Sequence, residues 1–124
     1  MPGKKKKITS QPLLEIAIAA LTDKKARNPV ILDFTKLKDR LCDLFILCHG
    51  TSRTQIEAIA DHVVSEVKSK TGESPWHCEG LRNAEWILID YSDIVIHIFQ
   101  EDRRKFYNLE QLWADAVLTP IGEA

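Results

Sequence analysis

The sequence predicts an α/β (α+β) domain, a mixed β-sheet with helices packed on it. Three observations predict it. Ile56, Ile59, Ala60, Val63, Val64 and Val67 recur at i, i+3, i+4, i+7, i+8 and i+11, one apolar stripe of a helix. Short runs rich in β-branched and apolar residues, such as Leu44 to Cys48 and Ile94 to Phe99, read as strands. Both patterns interleave along 124 residues, the length of one domain. The content of 44% hydrophobic and 28% charged residues suits a folded chain rather than a disordered one.

Gln11 and Pro12 open the first ordered element, and Leu13, Leu14, Ile16, Ala17, Ala20 and Leu21 give it a helical face. Asn28-Pro29 punctuates its end, because the residue before a proline avoids the helical region. Val30 to Phe34 reads as a strand, and Lys36 to Arg40 as a polar connector. The continuous apolar run Leu44 to Cys48 suits a strand covered on both faces. Ser52-Arg53-Thr54-Gln55 has the form of a capping box at the start of the striped helix, and Thr71-Gly72 closes it. Trp76 to Glu79 reads as a short strand. Trp86 to Ile89 and Ile94 to Phe99 are a strand pair joined by the tight turn Asp90-Tyr91-Ser92-Asp93. Glu101 to Ala116 reads as helix or helix-turn, with Phe106, Leu109, Leu112 and Trp113 folding back onto the sheet.

The charge is uneven. Residues 1–40 hold ten Lys and Arg against four Asp and Glu, a net of +6, and the remainder holds seven against fourteen, a net of -7. Residues 1–10, with Lys4 to Lys7, read as a basic flexible tail, and 11–124 as a single domain. Contact of that tail with RNA is the alternative to simple solvation. A DNA-binding protein carries its basic face through the folded body, and this body is acidic, which fits a basic protein partner better. No apolar run reaches the roughly 18 residues of a membrane span, and no apolar region follows the lysines as in a secretory signal. Cys42, Cys48 and Cys78 are odd in number and form no C-x-x-C, which predicts reduced thiols and a cytoplasmic protein.

Tests for catalysis come out weak. His49, His62, His77 and His97 show no metal-ligand spacing. Cys48 with His97 is conceivable as a dyad, but nothing in the pattern activates a thiolate. His49-Gly50-Thr51-Ser52 joins a strand to a helix N-terminus, as in nucleotidyltransferase phosphate turns, yet no acidic-apolar-acidic triplet supplies a metal. Asp33, Asp43, Glu79, Asp90 and Asp93 flank strands, where turns need carboxylates. Strand alternation places Trp86, Leu88 and Asp90 on one face, and Val95, His97 and Phe99 share a face opposite Ile94, Ile96 and Ile98. That aromatic face is either a layer under the last helix or a partly exposed anchor for a protein partner.

In order and spacing, several segments resemble the Iojap, or ribosomal silencing factor RsfS, family. They are Asp43-Leu44-Phe45-Ile46, Gly50-Thr51-Ser52, Ile59 to Val64, Glu79-Gly80, Trp86 to Tyr91, Asp93 to Phe99 and Arg104 to Trp113. The resemblance runs from about Leu13 to about Ala116. It implies a nucleotidyltransferase-like fold without catalysis or cofactor. It also implies binding to the large ribosomal subunit through large-subunit ribosomal protein fourteen, a steric block to subunit joining, and repression of translation. Organellar relatives act in large-subunit assembly, and isolated members form homodimers. Trp86 matches the family tryptophan associated with partner binding. Asp90, Asp93, His97 and Tyr107 match further motif positions, the acidic ones suited to Lys or Arg of a basic ribosomal protein. Ser92 departs from the family's usual glycine, which would strain a turn that needs positive φ.

Overall fold

A computed structural model of the chain describes residues 2–122, with side chains from residue 11 onward. The lysine-tail expectation falls on side chains outside the described residues. Helix α1 spans Pro2–Asp23 and so begins before Gln11, the start that the sequence predicted. It ends ahead of Asn28-Pro29, in a left-handed cap at Lys25 (φ 60). The Ala26 N–H donates to the Leu21 carbonyl at 3.0 Å and the Lys25 N–H to Thr22 at 3.0 Å, the two bonds of a Schellman closure.

Strands β1 (Arg27–Asp33), β2 (Leu44–Gly50), β3 (His77–Glu79), β4 (Trp86–Asp90), β5 (Ile94–Gln100) and β6 (Val117–Pro120) form one sheet in the order β3-β4-β5-β2-β1-β6. β2 and β5 run parallel and all other pairs antiparallel, so the sheet is mixed. β2 lies inside the sheet and is buried along nearly its whole length, as its unbroken apolar run predicts. β6 was not legible in the sequence. Its four residues are all exposed and its pairing is solely to β1, so no burial pattern marks it.

Helix α2 (Arg53–Thr71) lies with α1 over one face of the sheet. Its predicted stripe is the buried side, except for the half-buried Val64. Ile56, Ile59 and Val63 meet Ile46, Ile87, Ile89, Ile96 and Ile98, and each such side chain contributes about 1.5–3 kcal/mol on burial. The Ser52 hydroxyl accepts the Gln55 N–H at 3.1 Å, as the capping box requires. The Gln55 side chain reaches one residue further back than that motif predicts, to the Thr51 N–H at 2.8 Å. It also donates to the carbonyls of Lys24 and Lys25, tying this helix start to the end of α1.

The opposite face is covered over β1, β2 and β5 by a second cluster of Leu32, Phe34, Phe45, Leu47, Phe99 and Leu109, with Trp113 packed on it. The predicted last helix is broken at Asn108 (φ 47) into α3 (Glu101–Tyr107) and α4 (Leu109–Leu112). The break turns Leu109 and Trp113 toward the sheet but leaves Phe106 and Leu112 exposed, against the expectation that all four fold back. Among the described residues no helix is long and apolar enough to cross a membrane.

Candidate functional site

The β4–β5 pairing sets Trp86 opposite Phe99, Leu88 opposite His97 and Asp90 opposite Val95 on the aromatic face. That face divides into a packed inner part and a half-exposed rim. Phe34 and Phe45 form a buried layer on which the partly buried Trp113 packs, with Phe34 edge-on to Phe45 at 4.8 Å and to Trp113 at 5.4 Å. At the rim of this layer Trp86 is half-buried. Its ring stacks on Phe99 at 5.0 Å and meets the exposed Tyr107 at 4.7 Å. Phe106, 74% exposed, stands edge-on to Tyr107 and extends the apolar surface outward. The result is a platform whose inner rings are fixed by packing and whose outer rings face solvent.

His97 lies beneath Trp86, 3% exposed, with Phe45 at 4.4 Å. The indole Nε1–H of Trp86 donates to His97 Nδ1 at 3.0 Å, which places the imidazole proton on Nε2. Desolvation lowers the His97 pKa from 6.5 to about 4, so the ring is neutral at pH 7. The folded protein thus resists a proton that the unfolded chain accepts from pH 6.5 downward. Stability from this group is full above pH 6.5 and falls between pH 6.5 and about 4, by about 3 kcal/mol in all. Burial and the Arg104 guanidinium shift His49 in the same direction. Melting curves from pH 7 to pH 4 should show a shallower decline for His97→Asn than for the unaltered protein.

The acidic motif residues cluster at the β4–β5 turn. Asp90 Oδ1 accepts the Ser92 N–H at 2.7 Å, and His77 Nδ1 stands 3.7 Å from its other oxygen. The Asp93 carbonyl accepts the N–H groups of Asp43 and Leu44, tying the turn to the start of β2. Burial pushes the neighbouring Cys42 thiol up to about 12, with Asp43, Asp90 and Asp93 adding to the shift. Ser92 sits at φ 78, the positive value that its departure from glycine called into question. Ser92→Gly should therefore stabilise the protein by about 0.5 kcal/mol, since the relieved strain exceeds the added unfolded-state entropy. A urea titration measures this, and a loss of stability would mean that the serine is unstrained.

Two structural residues behind the site carry no signal in hydrophobic periodicity. Gly80 has φ 82, and a Cβ there would lie 1.9 Å from the Trp86 carbonyl oxygen. Arg104, 8% exposed, donates to Glu110 Oε2 from Nε at 3.1 Å and from Nη2 at 2.8 Å. Its Nη1 reaches His49 Nδ1 at 3.0 Å, so one side chain joins α3, α4 and β2.

The weaker chemical constellations do not assemble. Cys48 belongs to the aliphatic cluster beneath α2, while His97 lies on the aromatic side of the sheet. Burial pushes the Cys48 thiol up to about 12, far from a thiolate. At the Gly50-Thr51-Ser52 turn the Thr51 and Gln55 N–H groups are already bonded to side chains. Among the described residues no three His, Cys, Asp or Glu side chains are grouped to hold a metal.

Fold and site together define a small mixed α/β domain with an aromatic platform at one end of the β4–β5 hairpin and acidic residues at its turn. The family described as "Ribosomal silencing factor during starvation" matches residues 7–123, and the chain belongs to this RsfS family. A ribosomal silencing factor RsfS from Halalkalibacterium halodurans is 41% identical over 88% of this chain and 92% of its own. One from Bacillus subtilis is 37% identical over 92% and 95%. The mouse protein named mitochondrial assembly of ribosomal large subunit protein 1 is 26% identical over 90% of this chain and half of its own. A crystal structure of Chromobacterium violaceum protein CV0518 superposes with a TM-score of 0.78 at 33% identity, covering 84% of this chain and 85% of that one.

Proposed function

We propose that the protein is a translation repressor of the cytoplasm. It binds the large ribosomal subunit through large-subunit ribosomal protein fourteen and so sterically blocks joining of the small subunit. The observation that carries this reading is the Trp86 platform, a half-buried tryptophan pinned from below and flanked by the exposed Tyr107 and Phe106. Binding hot spots favour an aromatic anchor of this kind. Asp90 and Asp93 at the turn that closes the same hairpin, and the net charge of -7 beyond residue 40, suit a basic ribosomal protein. The names of the bacterial relatives point the same way. Homodimerisation in the free state belongs to the same reading, as does a non-enzymatic mechanism.

The test is gradient sedimentation with separated subunits and then with both together. The protein should travel with the large subunit alone and lower the yield of joined ribosomes. Trp86→Ala should keep the far-ultraviolet circular dichroism spectrum and weaken large-subunit binding by about 2 kcal/mol, roughly 30-fold. An unfolded Trp86→Ala protein would make Trp86 a core residue instead. A second reading, large-subunit assembly, is favoured by the name of the mouse relative. It requires tighter binding to immature than to mature large subunits in the same gradients.

A further inference from the structure

His97 matches a family motif position, yet its 3% exposure leaves it no surface to offer a partner. It stands in the sheet between Leu47 of β2 and Leu88 of β4 in register. We infer that His97 is the positioning residue of the docking platform: it accepts the Trp86 indole N–H and holds that ring in the orientation in which a partner meets it. This inference rests on the docking reading above and deepens it.

The hydrogen-bond accounting favours this role over simple packing. With Nδ1 accepting from Trp86, the imidazole proton lies on Nε2. That Nε2 is buried and has no partner among the described residues. A buried unpaired donor is unfavourable, and an apolar side chain would fill the space beside Phe45 and Phe99 without it. What histidine adds at this position is an acceptor under the indole. The imidazole cannot swing away, because Phe45 and Phe99 flank it at 4.4 and 6.2 Å.

Two consequences follow for recognition. An indole already held against Phe99 and Tyr107 loses less rotamer freedom on binding than a free one. Its N–H is satisfied inside the protein, so burying the ring under a partner strands no donor. The partner group over Trp86 therefore needs no hydrogen-bond acceptor, and an aliphatic or guanidinium surface fits.

The test compares the unaltered protein with His97→Asn, His97→Leu and Trp86→Ala. The asparagine Oδ1 takes the place of the imidazole Nδ1, whereas leucine fills space without an acceptor. Affinity for isolated large subunits is measured beside hydrogen exchange at the tryptophan indole N–H groups and the backbone amides. His97→Leu should weaken binding roughly tenfold, the worth of one immobilised side chain. It should also speed indole exchange at Trp86 while β5 amide protection holds. His97→Asn should restore both to within about twofold of the unaltered protein. Full binding by His97→Leu, or equal loss in a folded His97→Asn, would overturn the inference. In the unaltered protein, indole exchange at Trp86 as fast as at the exposed Trp76 would overturn it with no variant needed. If the unaltered protein does not bind large subunits, the docking reading fails, and indole exchange alone still decides whether His97 holds Trp86.

Discussion

Gly80→Ala is expected to destabilise the protein by about 4 kcal/mol and to displace the Trp86 platform. Gly80 follows β3 at φ 82, a conformation that costs a residue with a Cβ about 1–2 kcal/mol by itself. The larger part is steric. The new Cβ would lie 1.9 Å from the Trp86 carbonyl oxygen and 3.0 Å from its carbon, and both are backbone atoms of β4. A side chain could rotate away, but here the strand itself must move, and Trp86 begins that strand. Gly72 supplies a matched control. Its φ is 81, yet nothing lies within 4 Å of where its Cβ would be. Gly72→Ala should cost only about 1 kcal/mol, the backbone part alone. Equal costs for the two variants in urea denaturation would show that the β3–β4 connection yields freely.

Arg104→Ala should cost about 3 kcal/mol, because it strips three partners at once. Glu110 would lose both guanidinium bonds while three-quarters buried, and His49 Nδ1 and the Arg27 carbonyl would lose their donor. Those contacts fasten α3 and α4, so the loss should appear first as weakened amide protection in Glu101 to Leu112. Removing one member of a buried pair is worse than removing both. Arg104→Met combined with Glu110→Leu should therefore recover more than half of the lost stability. A double variant no better than Arg104→Ala would place the effect in the His49 contact instead.

What was legible in the sequence has local causes. The α2 stripe, its Ser52 cap and its Gly72 closure are settled within one or two turns of chain, and the structure places them as read. The alternation of β4 and β5 likewise assigned Trp86 and His97 to one face and the isoleucines to the other. The positive φ at Ser92 was suggested by the resemblance, since the family's usual glycine there marks a turn that needs it. Trp86, Asp90, Asp93, His97 and Tyr107 were chosen by resemblance to the family. The structure brings Trp86, His97 and Tyr107 into one ring cluster but sets Asp90 at the turn, at the other end of β4 from Trp86.

The sequence by itself determined the class of fold, the strand faces and the helix limits of α2, because those depend on periodicity and capping within a few residues. Only the tertiary structure decided the sheet order, the pairing of β6 with β1, the break at Asn108 and the depth of each aromatic ring. These depend on contacts between residues far apart in the chain. Glu110 lies six residues from Arg104, but His49 lies 55 away, and no local pattern pairs them. His97 shows the difference most clearly. The sequence left its face open between a layer under the last helix and an anchor for a partner, and the packing of Phe45 and Phe99 buries it while Trp86 stays half-buried at the rim.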